Sequence, residues 1–127
     1  MKKGFTLIEL LVVVAIIGLL VAIILVSIGN IKAKNRDARR VADMKQISNA
    51  LNLYNNAHNL YPPVGDINDM TTALINDGSI SGVPKDPLNS GSYVYTYNSN
   101  GINYTLGFCL ETNTIQGYSQ GCHTIAP

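Results

Sequence analysis

A chain of 127 residues has room for one domain, and its 46% hydrophobic and 13% charged residues are unevenly spread: the apolar excess lies before Gly29, and the remainder is rich in Asn, Ser, Thr, Gly and Tyr. A net charge of +1 excludes a general nucleic-acid-binding surface. The sequence holds no glycine-rich phosphate loop, no paired-cysteine metal motif and no nucleophile and base at a suggestive spacing, so no enzyme chemistry, cofactor or metal is expected, and His58 and His123 read as surface histidines.

The first predicted element runs from Phe5 to Ile28, FTLIELLVVVAIIGLLVAIILVSI, with Glu9 as its sole ionisable residue. About 24 residues at 1.5 Å each give roughly 36 Å of helix, which crosses the hydrocarbon core of a bilayer. A secretory signal peptide also begins with lysines, as at Lys2 and Lys3, but its apolar core runs only about 7 to 15 residues. A carboxylate at the centre of a membrane helix costs about 2.5 to 3.5 kcal/mol. Glu9 lies one turn from the start, where it either snorkels to the headgroups or awaits a positive charge from another subunit when the helix leaves the lipid.

The stretch Lys2-Lys3-Gly4-Phe5-Thr6-Leu7-Ile8-Glu9-Leu10-Leu11 resembles the processing motif of type IV pilins and type II secretion pseudopilins. The resemblance implies that a prepilin peptidase cuts between Gly4 and Phe5, that the new N-terminal Phe5 is methylated, and that Glu9 pairs with the N-terminal amine of a neighbouring subunit in a filament. Residues 1–4 would then be a leader, and residues 5–28 a transmembrane and filament-core helix. The residue types suit that chemistry. Glycine lets a protease approach the backbone closely, and a terminal amine is largely charged at neutral pH. In a dry core amine and carboxylate neutralise each other, and removing either alone costs several kcal/mol. Gly18 matches a glycine of many members, whereas Val26 stands where many carry a kinking proline, leaving Gly18 and Gly29 as the weak points of the helix.

Residues 29–61 continue as an amphipathic helix, with Met44, Ile47, Ala50, Leu51, Tyr54, Ala57 and Tyr61 on one side and Lys45, Asn49, Asn52, Asn56 and Asn59 opposite. Pro62 and Pro63 are expected to end it. The basic cluster Lys32, Lys34, Arg36, Arg39 and Arg40 reads as a solvated helix face or a headgroup contact; pairing with acidic residues of neighbouring subunits and nucleic-acid contact are the alternatives. A bare positive-inside count would put this flank in the cytoplasm, but the resemblance implies the opposite topology, with the N-terminus inside and the head outside.

Residues 62–127 form the predicted head. Asp69 is expected to cap a short helix through Ile75 that exits at Gly78. Strands follow at Ser92 to Tyr97 and Ile102 to Glu111, joined by a turn from Asn98 to Gly101, and a weaker third strand lies between Ile115 and Ile125. The expected fold is α+β: a long N-terminal helix whose second half packs on a small antiparallel sheet. In an exported head, a disulfide between Cys109 and Cys122 would close a loop of about 14 residues, worth on the order of 3 kcal/mol. That pair is similar to the C-terminal disulfide loop of many type IV pilins; major pseudopilins often end in an aspartate-dense calcium loop, which is absent after Glu111. The segments Asn59 to Pro63 and Val83 to Asn89 resemble pseudopilins, and the Asn103-Tyr104-Thr105 sequon reads as part of a strand.

The resemblance as a whole implies a structural subunit that polymerises through its N-terminal helix into a type IV pilus-like filament. Its partners would be copies of itself, the prepilin peptidase, inner-membrane assembly machinery and, before assembly, the lipid bilayer, with no nucleic acid. It would sit in the bacterial inner membrane as a single-pass protein, then in a cell-surface or periplasmic filament. The alternatives are a type II secretion pseudopilin and a membrane-tethered binding module with a tyrosine-rich head.

Overall fold

The computed structural model describes Met1, residues 4–63 and residues 65–127. Lys2, Lys3 and Val64 lie outside the described residues, as do the side chains of Val26 and Ser27, so the flanking lysines and the Val26 substitution fall there too. The elements are α1 (Leu7–His58), α2 (Ile67–Asp77), β1 (Thr96–Ser99), β2 (Tyr104–Leu110) and β3 (Gly121–Ile125). The chain divides into two compact units, Met1–Ala33 and Lys34–Pro127.

In the first unit, helix continues through both Gly18 and Gly29 without a break. Every large apolar side chain described between Phe5 and Ile31 is exposed. Among the described residues α1 is the one helix long and apolar enough to cross a membrane. An apolar surface of this extent has no stable place in water; lipid or a packed assembly must cover it.

The second unit has its own core. Met44, Ile47 and Leu51 of α1 meet Met70 and Leu74 of α2 and the inward side chains Tyr97, Tyr104, Leu106, Phe108 and Leu110 of the sheet, all buried. The stripe on α1 is as the periodicity predicts except at Ala57, which is exposed. The helix ends sooner than the prolines imply. Asn59 adopts a left-handed φ of 55°, which stops α1 at His58 and turns the chain so that the Tyr61 N–H donates to the Gly101 carbonyl at 2.7 Å.

Helix α2 starts from Asp66, not Asp69. One carboxylate oxygen of Asp66 accepts the Asn68 and Asp69 N–H groups at 2.7 and 3.0 Å, and Asp69 falls inside the first turn. Gly78 closes the helix in the left-handed region at φ 79°. The sheet is antiparallel in the order β1-β2-β3, with Tyr97 opposite Leu106 and Phe108 opposite His123. β1 begins at Thr96 instead of Ser92 because Gly91, at φ 58°, turns the chain into an isolated Ser90–Tyr93 bridge. Alternation along β2 sends Cys109 to the side away from Phe108 and Leu110, where it faces Cys122 across the ladder; the two are joined by a disulfide.

Candidate functional site

The sequence-predicted residues fall in separate places. Gly4 and Phe5 precede the helix, Phe5 is 82% exposed, and among the described residues nothing lies within 4 Å of the position a Gly4 side chain would take. Glu9 lies one turn in, beside Phe5, Ile8, Val12 and Val13, which line a shallow groove.

Glu9 is already engaged by its own chain. Its Oε2 accepts the Thr6 backbone N–H at 2.8 Å and the Thr6 hydroxyl at 2.7 Å, and the Thr6 Oγ1 in turn accepts the Glu9 N–H at 3.4 Å. This is a capping box, in which the residue before the helix and the third residue within it satisfy each other's orphan donors. The spacing Thr-x-x-Glu before an apolar run is the signal that would have revealed Thr6. Cutting the chain between Gly4 and Phe5 leaves the Phe5–Thr6 peptide, and hence the box, in place.

The second unit carries a buried charge cluster, and it corrects the reading of the basic stretch as a solvated face at Arg36 and Arg40. Arg40 is fully buried. Its guanidinium donates to Asp86 at 2.6 and 3.0 Å, to Asp37 at 2.8 Å and to Glu111 at 2.6 Å, and its Cζ lies 4.7 Å from the Tyr93 ring centroid. Arg36 grips Glu111 with two further bonds at 2.7 and 2.5 Å. Asp37 also accepts the Glu111 and Thr112 N–H groups, and Asp86 those of Leu88 and Asn89. The network ties α1 to the 84–89 segment and to the end of β2. Among the described residues no buried side-chain polar atom lacks a partner. Lys32, Lys34 and Arg39 stay exposed.

Titration follows that geometry. The hydrogen bonds from Arg36, and with them those from Arg40, bring the Glu111 carboxyl down to about 2 against the opposing effect of burial. Burial alone would raise Asp86, but the Arg40 guanidinium and the Leu88 N–H hold it below the ordinary carboxylate range. Tyr95 is pushed up by burial and by the Asp43 carboxylate, to which its hydroxyl donates at 2.8 Å. These are structural groups. His58 bonds Asp77 at 2.6 Å and His123 meets the Ser119 carbonyl at 2.8 Å, so neither histidine faces a nucleophile. Among the described residues no group of three metal-ligating side chains converges.

Residues 1–28 match the family model described as the prokaryotic N-terminal methylation motif. The chain is 30% identical over 93 residues to the type II secretion system core protein G of Aeromonas hydrophila, covering 73% of the chain and 62% of that relative. It is 30% identical over 95 residues to the protein of the same name from Vibrio cholerae, covering 68% of the chain and 65% of the relative, and 34% identical over 61 residues to that of Escherichia coli, covering 48% and 42%. The chain thus spans less than two thirds of the length of these curated relatives. No solved structure matches it.

Proposed function

We propose that this chain is a member of the family of type IV pilins and type II secretion pseudopilins, a structural filament subunit cut between Gly4 and Phe5, methylated at Phe5 and polymerised through α1; the match of residues 1–28 to the methylation motif and the similarity to proteins named core protein G support the reading. The observation that carries the reading is a lone carboxylate, Glu9, held one turn into α1, in a segment up to Ile28 whose described large side chains are otherwise apolar and exposed. Such a surface is satisfied in lipid as a monomer and among copies of itself as a polymer. In the second setting Glu9 meets the Phe5 amine of a neighbour, and the two charges cancel where neither could remain alone.

The protein is anchored in the inner membrane by α1, with its head outside the cytoplasm, until assembly machinery draws it into the filament. The resemblance to proteins named core protein G favours a type II secretion pseudopilus as the form this filament takes. The disulfide between Cys109 and Cys122 keeps a pilus as the second reading, since it is similar to the closing loop of many pilins.

Mass spectrometry of the mature protein tests the proposal. The expected product starts at N-methylated Phe5 and is recovered in sheared filaments. A retained Met1 on a protein that stays monomeric in the membrane would instead indicate a tethered binding module.

A further inference from the structure

We propose that the head folds without a divalent cation, because Asp37 and Arg40 of α1 organise the segment between β2 and β3 from within. The inference takes from the reading above only the expectation of calcium that attaches to major pseudopilins, and its test needs no filament. Calcium takes about 6 to 8 oxygen ligands, several of them from carboxylates. From Glu111 to Gln120 the chain offers one carboxylate, Glu111, and both its oxygens are taken: Oε1 accepts from Arg36 at 2.7 Å and from Arg40 at 2.6 Å, and Oε2 accepts from Arg36 at 2.5 Å. An ion placed there would sit against two guanidinium charges. Other oxygens of the segment are engaged within it: the Thr112 and Thr114 hydroxyls bond at 2.7 Å, and Asn113 Oδ1 accepts the Gln120 N–H.

What gathers the segment is the inverse of a metal loop. A calcium loop wraps oxygens around a cation, whereas here an anion collects N–H and O–H donors. Asp37 Oδ1 accepts the Glu111 N–H at 2.9 Å, and its Oδ2 accepts the Thr112 N–H at 2.8 Å and the Thr112 hydroxyl at 2.7 Å. Asp37 is fully buried, and a buried carboxylate needs a counter-charge; the equally buried Arg40 guanidinium supplies it at 2.8 Å. Arg40 also reaches Asp86 and Glu111, so the cation that these acidic groups share is part of the chain. Midway along the segment Ile115 and Tyr118 pack against the core, the Tyr118 ring edge-on to Phe108 at 5.6 Å, and at its far end Cys122 is bonded to Cys109. Start, middle and end are thus fixed by groups of the same chain.

The test follows thermal unfolding of the full chain in detergent micelles by circular dichroism, in EDTA and in about 10 mM calcium or magnesium chloride, which saturates extracellular calcium modules. Tm is expected to agree within about 1 °C in all three, whereas a bound ion at that concentration would raise it by about 5 °C or more. Any calcium-dependent rise beyond that margin that EDTA reverses would overturn the proposal. Amide hydrogen exchange at Glu111 and Thr112 tests the organising role of Asp37. Both amides are expected to be protected in EDTA and to exchange about tenfold or more faster in Asp37→Asn, with no recovery on adding calcium. Should Asp37→Asn fail to fold, Thr112→Val removes only the hydroxyl donor; it should speed exchange at Thr112 and create no response to calcium. Unprotected amides in the parent, or parental exchange rates in the folded variant, would overturn the role of Asp37. These readouts are independent of assembly, so an absence of filaments would remove the proposed function and leave them standing.

Discussion

Arg40 holds Asp86 with two arms of its guanidinium, at 2.6 and 3.0 Å, across 46 positions of sequence and with neither side chain exposed to solvent. That bond pins the 84–89 segment to α1, and Asp37 and Glu111 share the same cation.

Arg40→Ala would leave Asp37, Asp86 and Glu111 around a site without its central charge. The expected cost is about 3 to 5 kcal/mol, the range for breaking a buried pair from one side. Arg40→Lys should recover only part of it, because an ammonium cannot reproduce the flat fork. Urea unfolding of the full chain in detergent, followed by circular dichroism, measures both. A loss below about 1 kcal/mol for Arg40→Ala would put the cluster in the class of solvated surface pairs.

Glu111 makes stability depend on acid. Its folded value of about 2 lies below the ordinary 4.5, so its contribution is complete above pH 4.5 and is lost as pH falls through about 2. Arg36 and Arg40 keep their charge throughout that window. The stability gap between the parent and Glu111→Gln should therefore narrow from pH 4.5 to pH 2 in thermal unfolding, and a gap that widens on acidification would contradict the assignment.

The Cys109–Cys122 bond closes a loop with a sequence separation of 13. Replacing both cysteines with serine should lower stability by about 3 kcal/mol in the chain-entropy account. The Tm of the parent should fall by a comparable step on reduction, while the double variant should show no response to reductant.

Glu9→Leu should leave membrane insertion unchanged or improved, since it removes the one charge from the span. Filament yield should drop to background. Sheared-fraction immunoblots against total membrane protein measure this, and a variant that polymerises normally would count against the carboxylate's role.

Much of this architecture is legible in the residues because it follows local rules. The apolar run, the stripe through Met44, Ile47 and Leu51, and the alternation around Tyr104 to Leu110 each report a periodicity that the packing then uses. The ends of elements are less legible, because they depend on which of several capable residues wins. Asn59 stops α1 ahead of two prolines, and Asp66 starts α2 ahead of Asp69. The burial of Arg40 is illegible for a different reason. Arg40 precedes Met44, Ile47 and Leu51 by four, seven and eleven residues, which places it on the apolar stripe, but its partners Asp86 and Glu111 are 46 and 71 positions away, beyond the reach of any local pattern. Thr6 is legible by the same kind of rule, since the capping box Thr-x-x-Glu is a four-residue signal.

The bond between β2 and β3 limits how heads can associate. A terminal strand that can be peeled away is free to insert in another molecule's sheet, and subunits of some assemblies trade strands in that way. Cys122 is bolted opposite Cys109, one pair from the end of that ladder, so β3 cannot be lent out while the bond is oxidised. In the filament proposed above, heads would then meet as finished bodies, and the greasy helix would be the part that exchanges one set of neighbours for another.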